Sequence, residues 1–524
     1  MQEPRRSDSE GAHAGWDEEI DVLIVGLGCA GASAAIEAAR QGASVLILER
    51  ASFGGGTSAL SGGVLYCGGG TSLQRACGFE DSVESMRDYL CASCGPDPDE
   101  QKIAAYCEAS AEHFEWLVEL GVPFKASFWP EYTEPSSDDG LYFSGCEHTQ
   151  PFSSLTEPAP RGHVVRAQGS AGDTEGISAG RVLMDVLERS VRQAGADVAL
   201  GSRLSELLLA PDGRVCGARY EREGLSHTVG VRRGIVLTTG GFIANKEMVR
   251  QHAPRPWALA PLAGAHDDGE GIRLGMAAGG AARHMDALAY MCPVLEPHTL
   301  VKGILFDERG QRFVTEDANH KRIAERALTQ AGGRIYLLVD DGSFCQPRFE
   351  KPLIAVAESI PEIEAALPFL PQESLERTVD RYNAAARAGL DTEWGKRAEN
   401  LEPITHPPYG VFDCSLGEGQ LYLAFTLGGL ATRPTGEVLN RSGAPIRGLY
   451  AAGRATSGLS AQNCFASGIQ LGEGTFFGRL AGRSAGRMAP TLVSAQEALS
   501  VRGNRPLESD DPTACASSTG PQDT

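Results

Sequence analysis

The 524-residue chain is short of positive charge: 47 Lys and Arg stand against 68 Asp and Glu, a formal net charge of −21. That balance excludes nucleic acid or an anionic membrane surface as the main partner. It leaves room for a phosphate-bearing small molecule, because backbone N–H groups bind phosphate without a cation. Long hydrophobic runs are also missing. No stretch reaches the roughly 18 apolar residues of a membrane span, and the opening segment MQEPRRSDSEGAHAGWDEE has no apolar signal core. The thirteen cysteines fall singly except for Cys91 and Cys94. None joins a histidine in zinc spacing, forms a CxxCH haem site or belongs to an iron–sulfur cluster. No metal is therefore expected, and Cys91 and Cys94 read as two free thiols rather than a redox dithiol. The expected setting is cytoplasmic, with reduced thiols.

Glycine is what the chain has in excess, with 64 residues and no Gly-X-Y period. Such usage points to tight turns and close backbone approaches. Residues 1–16 and 489–524 are rich in Ser, Pro, Gly, Asp and Gln and are expected to be disordered tails. The strongest signal between them is DVLIVGLGCAGASAAIEAARQGASVLILER. It reads as strand, glycine turn, Ala-rich helix and second strand, a βαβ unit of about thirty residues. Gly26, Gly28 and Gly31 form G-x-G-x-x-G. The first makes the turn, the second lets backbone approach a pyrophosphate, and the third, beside Ala30, lets helix pack on strand. Glu49 and Arg50 close the second strand, where an acidic side chain can accept ribose hydroxyls.

Further glycine-rich segments follow. GGGTSALSGG contributes Gly56, Thr57, Ser58, Ser61, Gly62 and Gly63; VLTTGGF contributes Gly240; GLYAAGRATSG contributes Gly453 and Arg454. A long helix is expected from about Gly468 and Ile469. A nicotinamide dinucleotide does not need these extra loops, whereas the isoalloxazine and ribityl chain of FAD do. Non-covalently bound FAD is therefore the expected cofactor. The expected fold class is α/β, a Rossmann-like FAD-binding domain over 17–244 and 421–488. A smaller α+β catalytic (cap) domain is inserted at 245–420.

Over nearly all of residues 18–486 the chain resembles the fumarate reductase/3-ketosteroid dehydrogenase flavoprotein superfamily. The resemblance rests on VGLGCAGASAAIEAA, LERASFGGGTSALSGG, VLTTGGF, DDGEGIRLGMAAGGA, DERGQRFVTEDA, FTLGGLATRPTGEVLNRSGAPIRGLYAAGR and ASGIQLGEGTFFGRLAG. Within it, YCGGGTSLQRACGFEDSVESMRDYL and PAPRGHV look most like the 3-ketosteroid Δ4-(5α)-dehydrogenases. The resemblance implies flavin and substrate held between the two domains. Fumarate reductases hold a dicarboxylate with His and Arg, but Phe425 and Cys292 stand where histidines are expected, and no Arg follows RFVTE within Asp317–His320. Two charges taken from water would go uncompensated.

In the steroid enzymes a Tyr is implied at the place of Asn319 and another at Phe465, while their Ser is retained as Ser467. Ser467, either a helix N-cap or a proton-handling group, and His320, next to Asn319, are the candidates for proton transfer. Phe465, Phe425 and Tyr290 are expected to line an apolar pocket, and Tyr66 and Tyr409 are also open as phenols. The implied reaction is α,β-desaturation of a hydrophobic cyclic ketone such as a 3-ketosteroid, or its reverse. A base takes the α-proton, and a hydride passes to flavin. A separate electron acceptor or donor is expected as partner. The alternatives are a reductase of a small unsaturated acid and a non-catalytic FAD-binding protein.

Overall fold

The computed structural model describes residues 15–502 except 132–134, 136–137, 168–177, 256–258, 418–421, 461 and 463. A nine-stranded sheet forms its centre. The strand Glu18–Val25 pairs in parallel with Val45–Leu48 on one side and with Leu225–Leu237 on the other. Val45–Leu48 in turn pairs in parallel with Asp197–Ala199. Leu225–Leu237 is long enough to serve two purposes. Its first half pairs antiparallel with Val215–Arg222, and its last residues pair in parallel with Pro445–Ala451. Val22, Leu23 and Ile24 are buried on both faces, which is why this strand reads as a continuous apolar run without alternation. The expected α/β class is what forms.

The Ala-rich helix Cys29–Arg40 lies against the helix Ile469–Arg487. Small residues at four-residue spacing let the two backbones meet. A Cβ on Gly478 would lie 2.4 Å from Ala30 O, and one on Gly482 would lie 2.0 Å from Ala34 O. Glu37 locks the pair electrostatically. Its carboxylate takes two N–H bonds from Arg483 (3.1 and 2.9 Å) and one from the Trp116 indole (3.1 Å). Burial opposes charge on Glu37, but Arg483 and Arg479 outweigh it and hold the carboxyl below its usual range.

A second region carries an antiparallel sheet in the order Ile304–Asp307, Ile335–Val339, Tyr409–Asp413, Leu353–Ala357. The strand Leu423–Thr426 pairs with Leu288–Met291 and Ala260–Pro261. It therefore belongs to this region's sheets rather than to the large one, which the chain re-enters only at Glu437. The RFVTED segment is a scaffold. Arg312 donates twice to Glu316 (3.0 and 2.7 Å) and meets Asp391 at 3.0 Å, all buried.

Both expected tails need correction where they are described. Trp16 packs on Gly217 and Gly230 and donates its indole N–H to Val493 O at 2.8 Å. Leu499–Arg502 adds an antiparallel edge strand to Ser202–Leu209. A strand edge and a bare sheet surface accept these segments, so composition alone overstated the tails. Residues 1–14 and 503–524 lie outside the described residues. Among the described residues, no helix is long and apolar enough to cross a membrane.

Candidate active site

One continuous cavity of about 1300 Å³ runs from the G-x-G-x-x-G turn to the second region. That exceeds the volume usual for a small ligand alone. At its nucleotide end, Gly26 has φ +102° and would press a Cβ 2.6 Å from Thr238 O. Gly28 and Ala30 line the wall, where the helix Cys29–Arg40 begins. Gly31 does not line it: its Cα faces Gly26 O, where a Cβ would sit at 1.9 Å, so it closes the turn from behind. Glu49 Oε2 accepts Leu27 N–H (2.8 Å) and Oε1 accepts Ala51 N–H (2.9 Å), which fixes the carboxylate at the wall with lone pairs to spare for ribose. Arg50 is held by Asp268 at 2.6 Å.

The GGGTSALSGG loop covers the next stretch. Gly56, Thr57 and Ser58 line the wall, followed by Ser61, Gly62 and Gly63. Ser58 Oγ accepts Cys29 N–H at 3.2 Å, and Thr57 Oγ1 accepts Gly264 N–H at 2.9 Å, tying the loop to both walls. Gly240, with φ +80°, leaves room for Asp267, which pairs with Arg454 across the cavity. Gly453 and Arg454 complete this part. The positive-φ glycines, the helix start and the clamped acid fit FAD: N–H groups for the pyrophosphate, Glu49 for ribose, and the loop for the chain leading to the ring.

At the far end the structure separates residues that the sequence places side by side. Ser467 lines the cavity and is 6% exposed. It is not the helix cap, because Gly468, at φ +90°, holds that place without a side chain. A Cβ on Gly468 would meet Val64 O at 2.8 Å, so the cap needs glycine. Asn319 Nδ2 donates to Ser467 Oγ (3.2 Å) and to Ser144 O (2.8 Å), while its Oδ1 accepts Lys321 N–H (2.9 Å). Asn319 therefore caps the helix His320–Thr329 and positions Ser467 without lining the cavity itself. With its oxygen taking the Asn319 amide, Ser467 keeps its own O–H as a donor.

Several expected residues are not where their roles need them. His320 is absent from the wall, and its Nε2 has no hydrogen-bond partner among the described residues. Burial, with the Lys321 charge next to it, pushes its imidazole down to about 3, so it stays neutral at ordinary pH. Tyr290 is turned away: on a strand, successive side chains alternate, so Met291 faces the cavity while the Tyr290 hydroxyl accepts from Arg255 at 2.8 Å. Phe465 packs edge-on against Phe152, and its carbonyl accepts the Tyr89 hydroxyl at 2.6 Å. Ile469 is buried off the wall, its N–H spent on Ala466 O. Of the apolar candidates, Phe425 does line the cavity, with Met291 and Leu262 nearby on the wall. The Tyr66 hydroxyl donates to Glu147 at 2.8 Å, and Tyr409 sits on the sheet strand Tyr409–Asp413.

Lys321 is the residue that sequence reasoning missed. It lines the cavity although it is only 3% exposed, and its Nζ lies 5.9 Å from the Phe425 ring centre. The Cys91–Cys94 pair is also re-sorted: both thiols are free, and Cys94 Sγ lies 2.8 Å from Cys464 Sγ.

Comparison with known proteins agrees with this geometry. Residues 21–470 match the FAD binding domain family. A crystal structure of 3-ketosteroid-Δ4-(5α)-dehydrogenase from Rhodococcus jostii RHA1 superposes with TM-score 0.85 and 41% identity, covering 92% of this chain and 99% of that one. A 3-oxo-5-alpha-steroid 4-dehydrogenase of Comamonas testosteroni is 28% identical over 505 residues, 84% of this chain and 93% of that protein. A probable fumarate reductase of Shewanella frigidimarina is 26% identical, over 91% of this chain and 76% of its own length. The chain belongs to the FAD binding domain family and is an FAD-dependent dehydrogenase/reductase of CH–CH groups.

Proposed function

We propose that the substrate is a hydrophobic cyclic ketone such as a 3-ketosteroid, desaturated or reduced next to its carbonyl. The observation that carries this reading is the single cavity, which joins the cofactor cradle to a wall of Phe425, Met291 and Leu262 with Ser467 as a hydroxyl donor. Apolar side chains there exclude water and match a ring system better than two carboxylates. The relative from Rhodococcus jostii, solved with 4-androstene-3,17-dione, supports the same substrate class.

FAD, when bound, supplies the capacity to accept or return a hydride. The chain's own residues bind and polarise. Ser467, oriented by Asn319, donates its O–H to the substrate carbonyl where negative charge develops as the α-proton leaves. Phe425 packs on the ring system, and Arg454, whose guanidinium lies 5.7 Å from the Phe425 ring centre, keeps that ring in place. A separate molecule takes the electrons away.

Incubating the holoenzyme with a panel of 3-ketosteroids, simpler cyclic ketones and fumarate, together with an artificial electron carrier, tests the reading. The expected result is a ketone product differing by two hydrogens. Conversion of fumarate alone would replace the ketone reading with an acid reductase.

A further inference from the structure

We propose that the ammonium group of Lys321 holds the negative charge that builds on the substrate's carbonyl oxygen, sharing that oxygen with Ser467. The inference deepens the ketone reading above and rests on it.

Three features of the structure converge on this lysine. The first is placement. Of the buried lysines Lys102, Lys321, Lys351 and Lys396, only Lys321 lines the cavity. Its surface, closed to bulk solvent, opens onto the space where substrate would lie.

The second feature is orientation. Nζ donates to Ala466 O at 3.0 Å and to Gln470 Oε1 at 3.3 Å. Ala466 immediately precedes Ser467, so one short segment fixes both the hydroxyl and the ammonium. Asn319 joins them from the other side, taking Lys321 N–H with Oδ1 and giving its amide to Ser467 Oγ. The two donors are thus set by a common frame of Asn319, Ala466 and Gln470. A donor pair fixed before substrate arrives is what charge stabilisation needs, because it does not have to reorganise during reaction.

The third feature is electrostatic. Lys321 sits in the first turn of the helix His320–Thr329, which has no acidic residue in that turn. A helix N-terminus carries partial positive charge, so a cation there is unfavourable and an acid would serve the fold better. Burying the ammonium adds to the penalty. The helix dipole alone therefore does not explain a cation in this turn, and the placement suits a ligand that becomes negative in the cavity. The neighbouring ring of Phe425 offers a π face to the cation, and the buried Glu473 carboxyl lies within its electrostatic reach.

The chemistry asks for one such group. In the desaturating direction a base reached through water in the cavity takes the α-proton, and the C–H bonding pair delocalises onto the carbonyl oxygen. That pair then closes the new C=C as the β-hydrogen leaves as hydride to FAD, when bound. Lys321 donates an N–H to that oxygen and keeps its proton, so it forms no covalent bond and undergoes no net change. In the reducing direction the same contact makes the β-carbon more electrophilic. At this end of the wall Lys321 and Ser467 stand beside the amide of Gln470, whose Nε2 has no hydrogen-bond partner among the described residues.

The test uses FAD-loaded wild type, Lys321→Met and Lys321→Arg. Each is titrated with 4-nitrophenol, whose ionised form mimics the enolate and is read by its own colour, and each is assayed with the best ketone of the panel. Lys321→Met is expected to lower kcat about 100-fold with KM little changed, and Lys321→Arg to recover at least about tenfold of that by keeping the charge. Bound 4-nitrophenol should ionise at lower pH on wild type and Lys321→Arg than on Lys321→Met. Full kcat in a folded, FAD-loaded Lys321→Met, or identical nitrophenol ionisation in wild type and this variant, overturns the proposal. So does a loss confined to KM, which would make Lys321 a binding contact only.

If Lys321→Met does not retain FAD, Lys321→Gln replaces it, and failure of both to fold assigns Lys321 to the scaffold and overturns the proposal as well. If wild type converts no ketone yet still shows the shifted nitrophenol ionisation, the substrate reading fails while the charge-holding role of Lys321 stands.

Discussion

The two ends of the cavity are built on opposite plans. The nucleotide end is made of backbone: Gly26, Gly31 and Gly240 shape it by what they lack, and a Cβ on Gly31 would collide with a carbonyl at 1.9 Å. Its glycine turn, Gly26, Gly28 and Gly31, lies within one βαβ unit, and Gly240, Asp267 and Arg454 complete it from later segments. The chemical end is made of side chains from distant segments, Ser467 and Lys321 above all, joined by hydrogen bonds spanning about 145 residues of sequence. A backbone site tolerates little change and binds a conserved shape. A side-chain site can be re-equipped without disturbing the fold.

If that contrast is right, damage at the nucleotide end removes cofactor and fold together, whereas damage at the chemical end removes turnover alone. The largest effect is expected from Gly31→Val. With no room behind the turn, the variant should lose at least about 4 kcal/mol of stability and purify colourless, as thermal melting and visible absorption would show. Next comes Ser467→Ala. Asn319 keeps its bond to Ser144 O, so FAD content and melting should hold while kcat drops about 100-fold.

A smaller effect is expected from Glu37→Gln, which loosens the clamp between the two long helices. About 2 kcal/mol should be lost at neutral pH, the scale of a hydrogen bond to a charged group. The sign with pH follows from the lowered carboxyl. The stabilisation is present above the ordinary glutamate range near ~4.3 and disappears as pH falls through the lower folded value. Wild type should therefore lose stability towards acid more steeply than the variant in urea titrations at several pH values. The smallest effect is expected from His320→Asn. Its neutral imidazole lies off the wall, so turnover and its pH profile should not change. A large loss there would break the comparison at its chemical end.

The same contrast explains what could be read from the sequence. Gly26, Gly28 and Gly31 and the GGGTSALSGG loop act through local spacing, so this part of the cofactor cradle was legible, whereas the meeting of Ala30 and Ala34 with Gly478 and Gly482 joins distant segments and was not. The chemical end was legible only in part. His320 and Lys321 are neighbours on a helix, where successive side chains diverge by about 100°. Only the position of Ala466 and Gln470 shows that the second of them, not the first, turns to the cavity. Tyr290 and Met291 present the same problem with the alternation of a strand, whose register against Leu423–Thr426 no local pattern announces. The RFVTED motif was visible as a motif. Its work as a scaffold through Arg312 and Glu316 becomes visible once Asp391 and Lys396 are brought to it.

The central claim, that one cavity brings a ketone to bound FAD, is tested most directly by anaerobic mixing of the oxidised holoenzyme with 5α-androstane-3,17-dione in a stopped-flow spectrometer. The account predicts bleaching of the flavin's visible band by the steroid, slowed in Ser467→Ala and unaffected in His320→Asn. A flavin that the steroid and simpler cyclic ketones all leave oxidised, in protein that reduced enzyme assays show to transfer electrons to fumarate, would contradict it.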